Sequence, residues 1–565
     1  MAEKQLPREE VARIEIGHTK MTPAMGWALV IFFAAVTAAV PVLQHVREIA
    51  DYAAGLRGSP LPQSYDIFMS ATKAIKVLTS PAPSARRVFD SGRFMLGEIK
   101  RYEEDLEQQS VFASFVLPRT QEILTRTGLG NEQAYCGRDG WLFYRPGIDY
   151  VMGPAFLDPK QLAKRAAAGT EWKAAPQPDP RLAILQLARQ LSERGITLIV
   201  MPAPDKATIH PENFWPGYKD TRRPLQNPSF DALKAELESN GVLVLDVAQA
   251  LVDARISTGR PQYLESDTHW TPEAMGLAAR MLRDFIAERV QLPAPAAPPA
   301  LERETAEVRN LGDIAAMLKL PESQTLYAKQ SVTLNQVLAN KRLWQSSSSA
   351  DVLVLGDSFS NIYSLEAMGW GESAGFIEQL SFELGRPVDR LVRNDAGSWA
   401  TRQMLGRELA KGRDRLAGKK VVVWEFAARE LAVGDWKLID MKLGEPPPSR
   451  FVVPPPGTTV EVSGTIESLS AAPRPGTVAY KDHIIAVHLI DVEGEGGAAG
   501  EAIVYMWSMR DNKWTRAARF RPGTELKLTL RPWADVAEKY DGINRAELED
   551  EALQLEEPCW GEEKP

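Results

Sequence analysis

Val352-Leu353-Val354-Leu355-Gly356-Asp357-Ser358-Phe359-Ser360 decides how this chain reads. Four apolar residues in a row, too few for a helix of their own, describe a strand buried on both faces. Gly-Asp-Ser at its end turns the chain sharply and offers a hydroxyl at the strand's carboxyl edge. Far upstream stands Glu265-Ser266-Asp267-Thr268-His269-Trp270, which holds one of only six histidines among 565 residues. A serine at a strand end and an Asp-x-His together supply a nucleophile, a base and a group to orient the base.

Working outward, short apolar runs alternate with helical spacing. Arg181 to Arg194 has helical periodicity, and Ile196 to Met201 is a short strand. Phe230 to Ser239 is helical, and Val242 to Leu245 is a strand. Thr271-Pro272-Glu273 opens a helix through Ile286, with threonine as N-cap, proline at the first helical position and an acid in the first turn. A Pro/Ala linker at 293–299 leads into a loop-rich insert that runs to Ser349. Strands then recur at Val352 to Leu355, Arg390 to Arg393 and Val421 to Trp424. Such alternation predicts an α/β fold with a parallel sheet and helices on both faces.

Gly137 to Tyr144 reads as a turn followed by an aromatic strand. Two proline triplets, 446–448 and 454–456, then break the chain. Beyond them Val460 to Ile466, His483 to Asp491, Ile503 to Ser508 and Leu526 to Leu530 predict a small β-domain, an OB-like barrel or a sandwich.

The N-terminal part carries an uncharged run, Met25 to Leu43, long enough to approach the ~30 Å hydrocarbon thickness of a bilayer. Lys4, Arg8, Arg13 and Lys20 precede it, while Arg47 and Arg57 follow more sparsely, which keeps the N-terminus cytoplasmic. A cleaved signal peptide is the competing reading, but the run is long for one and no convincing A-x-A site follows. The expected organisation is a tail at 1–24, a transmembrane anchor at 25–43 and a helical stalk at 44–130. An α/β domain at 131–445 and a β-rich domain at 457–565 follow. Within the stalk, Ala71 to Leu78, Phe94 to Leu106 and Val111 to Thr127 have amphipathic spacing.

A net charge of -8 argues against a nucleic-acid partner, which needs clustered Lys and Arg. Cys136 and Cys559 fit no metal or redox spacing; one disulfide or two separate thiols are both open. No metal site is expected, because neither His210 nor His269 has a ligand-spaced partner, and no cofactor is called for.

In a parallel sheet, ligands meet the carboxyl ends of the strands. Pro202 to Lys206, Gly356-Asp357-Ser358, Asn394 and Glu425 should therefore converge on one edge. In an extended segment Asp267 and His269 leave the same face. His269 would take the proton of Ser358, and Asp267 would fix the imidazole tautomer. Backbone N–H groups after Ser358, with the Asn394 amide, would receive the oxyanion. Each piece has a plainer reading as well: Gly-Asp-Ser is good helix-cap chemistry, a lone Asp-x-His is common in ordinary surface or core hydrogen bonding, and Asn394 before Asp395-Ala396-Gly397 is good turn chemistry.

Gly356-Asp357-Ser358-Phe359-Ser360 and Asp267-Thr268-His269-Trp270 resemble the two signatures of the SGNH-hydrolase-like polysaccharide O-acetyltransferases of the AlgJ/AlgX type. Gly140-Trp141-Leu142-Phe143, Pro204-Asp205-Lys206, Gly312-Asp313, Val423-Trp424-Glu425-Phe426 and Arg429-Glu430 add to the resemblance over about 135–432. The resemblance implies a periplasmic enzyme, anchored once in the inner membrane, that acetylates alginate or a related exopolysaccharide. It implies Ser358 as nucleophile, His269 as base and Asp267 as orienter, with no cofactor. The expected partners are the polysaccharide acceptor and a multi-pass membrane acyltransferase that supplies acetyl groups. Lys206, Trp270 and Arg429 join Asn394 as candidate oxyanion or substrate contacts, and Trp270, Trp370, Trp399 and Trp424 are candidate sugar-stacking rings, each with a place in the core as its plainer reading. The terminal β-domain matches the sugar-binding module of AlgX in position alone. Two other functions stay open on the residues: an acetylesterase using the same three side chains, and a non-catalytic scaffold of a secretion complex.

Overall fold

The computed structural model describes residues 22–53, isolated positions between 60 and 103, and 110–563. Short gaps within that span fall at 170–173, 296–297, 446–450, 477, 479, 495–499, 521, 549 and 551–552. The chain divides into two compact units, Met1–Arg119 and Thr120–Pro565.

In the first unit a helix runs over Pro23–Ala53, past the expected end at Leu43. It is long and apolar enough to cross a membrane, and Trp27, Phe32 and Phe33 turn outward from it. A second helix, Val111–Arg126, begins in this unit and covers the expected amphipathic stretch. The two other expected stalk helices fall in 54–109, of which only isolated positions are described.

In the second unit, five strands form one parallel sheet: β1 Thr197–Ala203, β2 Leu243–Val244, β3 Val352–Gly356, β4 Asp389–Val392 and β5 Val421–Ala427. Their order is β2-β1-β5-β3-β4. Every residue of β3 and β5 is buried, as a strand covered on both faces requires. Pro180–Ser192 packs through Ala183, Ile184, Leu187 and Leu191, and Asp179 caps its first turn by accepting from Arg181 N. Pro272–Arg289 starts where the sequence predicts, with Thr271 Oγ1 accepting from Ala274 N at 3.3 Å.

Residues 300–349 depart from expectation. They hold a long antiparallel hairpin, Leu301–Asn310 with Gln330–Ala339, and a short helix, Asp313–Met317. Leu301, Val308, Val332, Leu334, Val337 and Ala339 join the main core, while Glu302, Glu304, Glu307 and Arg309 of the first strand and Ser331, Thr333 and Asn335 of the second face solvent. On the first strand charge outnumbers apolar residues, and on the second the alternation breaks at Gln336-Val337, so a period of two does not stand out on either. A three-residue pair, Ala134–Cys136 with Leu142–Tyr144, lies apart from the main sheet.

The terminal domain is a closed barrel of β6 Val460–Leu469, β7 His483–Gly494, β8 Gly500–Arg510, β9 Glu525–Pro532 and β10 Pro558–Glu563. The ring closes as β6-β7-β8-β10-β9-β6, parallel only between β8 and β10. This is the strand order of an OB barrel, so the barrel of the two expected forms is present. Register shifts along β6 and β7 supply the bends that closure needs. Its interior is filled by Val487, Leu489, Val504, Leu526, Leu528 and neighbours, while Tyr480 and Met509 pack into the α/β core. Cys136 and Cys559 are separate free thiols.

Leu355 lies wholly buried in β3, immediately before the Gly-Asp-Ser turn. Leu355→Ala is expected to cost about 2–5 kcal/mol through lost transfer energy and the cavity left behind. Chemical denaturation followed by tryptophan fluorescence reads this; a loss below about 1 kcal/mol would mean that β3 is not central to stability.

Candidate active site

The parallel register sets the site. Gly356 pairs with Val392, so Ser358 and Asn394, each two residues further on, stand level at the carboxyl edge. The polar ends of β1, β5, β3 and β4 lie side by side in that order. Asp357 shapes the turn: its Oδ1 accepts from Phe359 N at 2.8 Å and its Oδ2 from Ala427 N at 2.7 Å. Glu425 Oε2 accepts from Asp357 N at 3.0 Å and from Ser360 Oγ at 2.6 Å. Ser358 then opens the short helix Ser358–Asn361 and is 2% exposed.

Asp267 and His269 occupy a tight loop rather than an extended segment. The loop is bracketed by a Tyr263–Trp270 bridge, with Leu264 N donating to His269 O at 3.1 Å. Inside it Asp267 Oδ1 accepts from both His269 N at 3.1 Å and His269 Nδ1 at 2.7 Å. Trp270 Nε1 donates to Phe359 O at 3.1 Å, and the His269 and Phe359 rings lie 4.9 Å apart. The loop is thereby held against the residue that follows Ser358. His269 Nε2 is buried and has no hydrogen-bond partner among the described residues.

Asp313, which stands in the Gly312-Asp313 motif without an expected role, packs against this pair. Its N–H donates to Asp267 Oδ2 at 3.0 Å, and its Oδ1 accepts from Thr268 N at 2.7 Å. Its other oxygen is unpartnered and 3.9 Å from His269 Nδ1. Gly312 makes this approach possible: at φ +96°, a Cβ there would lie 2.4 Å from Ser266 O. Trp370 Nε1 gives Asp267 Oδ2 a further bond at 2.8 Å. The signal available for Trp370 was only its residue type, because its partner lies 103 positions away.

Burial alone would lift Asp267, but the bond and charge of His269, with the Trp370 bond, hold its carboxyl down at about 2. Burial, followed by the charge of Asp267, pushes Asp313 up to about 6. Lys206 is brought down to about 7 by burial, against the pull of Asp267, Asp313 and Glu265. Asp267, His269 and Asp313 place ligand-type atoms within 4.8 Å of one another. Both Asp267 oxygens and one of Asp313 are already committed, and an amine lies nearby, so the set suits proton handling rather than a divalent cation.

The remaining expected contacts fare differently. Lys206 is buried and its Nζ donates to Leu142 O at 2.7 Å and Glu265 O at 3.1 Å, bracing the Asp267 loop instead of facing a substrate. Trp270 is wholly buried against Phe359 and Phe376, which leaves no ring face for a sugar. Trp370 and Trp424 are equally buried, and only Trp399 is half-buried. Arg429 pairs with Asp205 at 3.0 Å and reaches over the Tyr144 and Phe359 rings. Asn394 accepts from Asn361 Nδ2 at 2.8 Å, and its own Nδ2 is buried and unpartnered among the described residues.

Residues 134–428 match the family model described as SGNH hydrolase-like domain, acetyltransferase AlgX. A curated relative named "Probable alginate O-acetylase AlgJ", from Pseudomonas fluorescens, is 24% identical over 164 residues, 29% of this chain. The chain spans about a third of that relative's length, 36%. Among solved structures, the O-acetyltransferase domain of Pseudomonas putida AlgJ is 20% identical with a TM-score of 0.39, over 54% of this chain and 93% of that one. Pseudomonas aeruginosa AlgX is 16% identical with a TM-score of 0.37, over 71% and 90%.

Asp313 stays protonated to higher pH in the folded chain than its ordinary value of 3.8. The stability it contributes is therefore full below about pH 4 and lost as pH rises through about 6. Asp313→Asn cannot ionise and should lessen the decline between pH 4 and 7 by on the order of 1–3 kcal/mol. Denaturant titrations of both proteins at the two pH values check this, and identical declines would refute it.

Proposed function

The chain belongs to the family of SGNH hydrolase-like domains of the AlgX acetyltransferase type, and from that premise we propose that it moves an acetyl group through an acyl-serine onto a hydroxyl of an exopolysaccharide. The observation that carries this reading is the 2.7 Å bond from His269 Nδ1 to Asp267, which leaves Nε2 free beside the Ser358 turn.

Ser358 Oγ attacks the acetyl carbonyl of the donor while His269 Nε2 takes its proton, and that proton leaves with the donor's departing oxygen. A sugar hydroxyl then attacks the acyl-serine, passes its proton to His269, and Ser358 recovers it. Asp267 holds the imidazole with Nδ1 protonated and stabilises the imidazolium. The Asn394 amide serves as an oxyanion donor. Arg429, at the rim, is the candidate contact for the acceptor. Burial of Ser358 and His269 supports transfer over hydrolysis, because an acyl-serine there meets little bulk water.

In this reading the Pro23–Ala53 helix is a single inner-membrane anchor that leaves the catalytic unit in the periplasm. The acceptor is an alginate-like polymer, and a multi-pass membrane acyltransferase brings the acetyl groups across.

The test uses the purified full chain with an activated acetyl ester, with and without an oligosaccharide acceptor. An acetyl adduct on Ser358 by intact-mass and peptide analysis, followed by acetylated sugar, is the expected result. Ser358→Ala and His269→Ala should each lower turnover at least ~10³-fold without changing the fold. Acetate release that ignores the sugar would make the protein an esterase, and a folded chain never labelled at Ser358 would make it a scaffold.

A further inference from the structure

The terminal barrel reaches the catalytic edge with the connections that an OB barrel ordinarily offers to ligands. Oligosaccharides bind such barrels on the face of the second and third strands, between the loop joining strands one and two and that joining four and five. Here the outer face of β7 and β8, with Ile484, Ala486, Ile503 and Tyr505, is covered by Ile543 and Leu548 from the β9–β10 connection. The customary binding face is therefore closed by the chain itself.

The β9–β10 connection is engaged elsewhere. Asn394 N donates to Asn544 Oδ1 at 2.9 Å, and both residues are buried. Asn361 Nδ2 donates to Gly542 O at 3.3 Å and to Asn394 Oδ1 at 2.8 Å. Asn361 ends the helix that Ser358 begins. Ile484 N donates to Asn544 O at 2.9 Å and so moors Asn544 to β7. Alongside, Arg393 and Glu547 form a largely buried pair at 3.5 Å. Because the Asn361 amide nitrogen is committed to two carbonyl oxygens, Asn394 must present its own oxygen to Asn361. Its Nδ2 is buried and has no partner among the described residues. An unpaired buried donor is costly unless a ligand oxygen completes it.

We infer that the barrel is a structural part of the active site: Asn544 and Gly542 lock Asn394 and Asn361 so that the Asn394 amide N–H is presented to the reacting acyl oxygen at Ser358. Asn544 is a positioning residue that acts through Asn394. This rests on the acyl-serine reading above.

The experiment is a double-mutant cycle on the full chain: wild type, Asn544→Ala, Asn394→Ala and the double variant. The rate of Ser358 acetylation by p-nitrophenyl acetate is followed by intact mass, and thermal midpoints report folding. Asn544→Ala should lower kcat by about 10²-fold, in the range for loss of one oxyanion donor, with KM within about twofold. The double variant should be no slower than Asn394→Ala alone. Asn544→Asp, which keeps the acceptor for Asn394 N, should recover at least about a tenth of the wild-type rate. If the alanine variant does not fold, Asn544→Leu keeps the volume without the acceptor and takes its place. An Asn544 variant within about twofold of wild type, or losses that multiply in the double variant, would overturn the inference while leaving the acyl-serine reading intact. A folded wild type that never acquires acetyl on Ser358 would instead remove that reading and this inference with it.

Discussion

The hydrogen bond between Asp267 and His269 constrains the rest of the site. A carboxylate with almost no exposure stays ionised only if donors replace the water it has lost. Here His269, Trp370 and the Asp313 backbone supply them. Those donors come from the loop itself, from beyond β3 and from the start of the Asp313–Met317 helix, so three distant segments must close together before the carboxylate is tolerated. Lys206 adds a fourth by tying the loop's Glu265 carbonyl to Leu142. The loop is thus part of the core, and His269 is held with little freedom to turn.

The second constraint is the edge of the sheet. Parallel pairing brings the ends of β3, β4 and β5 level, and Asp357 with Glu425 stitches two of them together around Ser358. Burial and the charge of Asp357 push the Glu425 carboxyl well above its usual range. The edge would be open at β4, the last strand in the order, but the terminal barrel meets it there through Asn544, Gly542 and Glu547.

Much of this was legible in the residues. The all-apolar runs announced buried parallel strands, the Thr-Pro-Glu start placed the helix at Pro272, and the barrel's main strands stood between clear Gly and Pro turns. The hairpin at 301–339 was not legible, because charge outnumbers apolar groups on its first strand and the alternation of the second breaks at Gln336-Val337. Lys206, Trp270 and Trp370 were candidate substrate contacts, the tryptophans with the core as their plainer reading, and all three are buried in the fold. An ammonium or an indole looks the same in sequence whether it faces a sugar or a backbone carbonyl.

Local spacing alone was sufficient for what depends on neighbours: strand and helix periods, caps, the Asp-x-His pair and the Gly-Asp-Ser turn, since two or three residues span each of those contacts. Whatever depends on distant segments meeting was decided by the tertiary structure. Asp313 beside His269, Trp370 on Asp267 and Asn544 on Asn394 join positions tens to hundreds of residues apart. The chain's order carries no record of such distances until buried polar groups have to find one another.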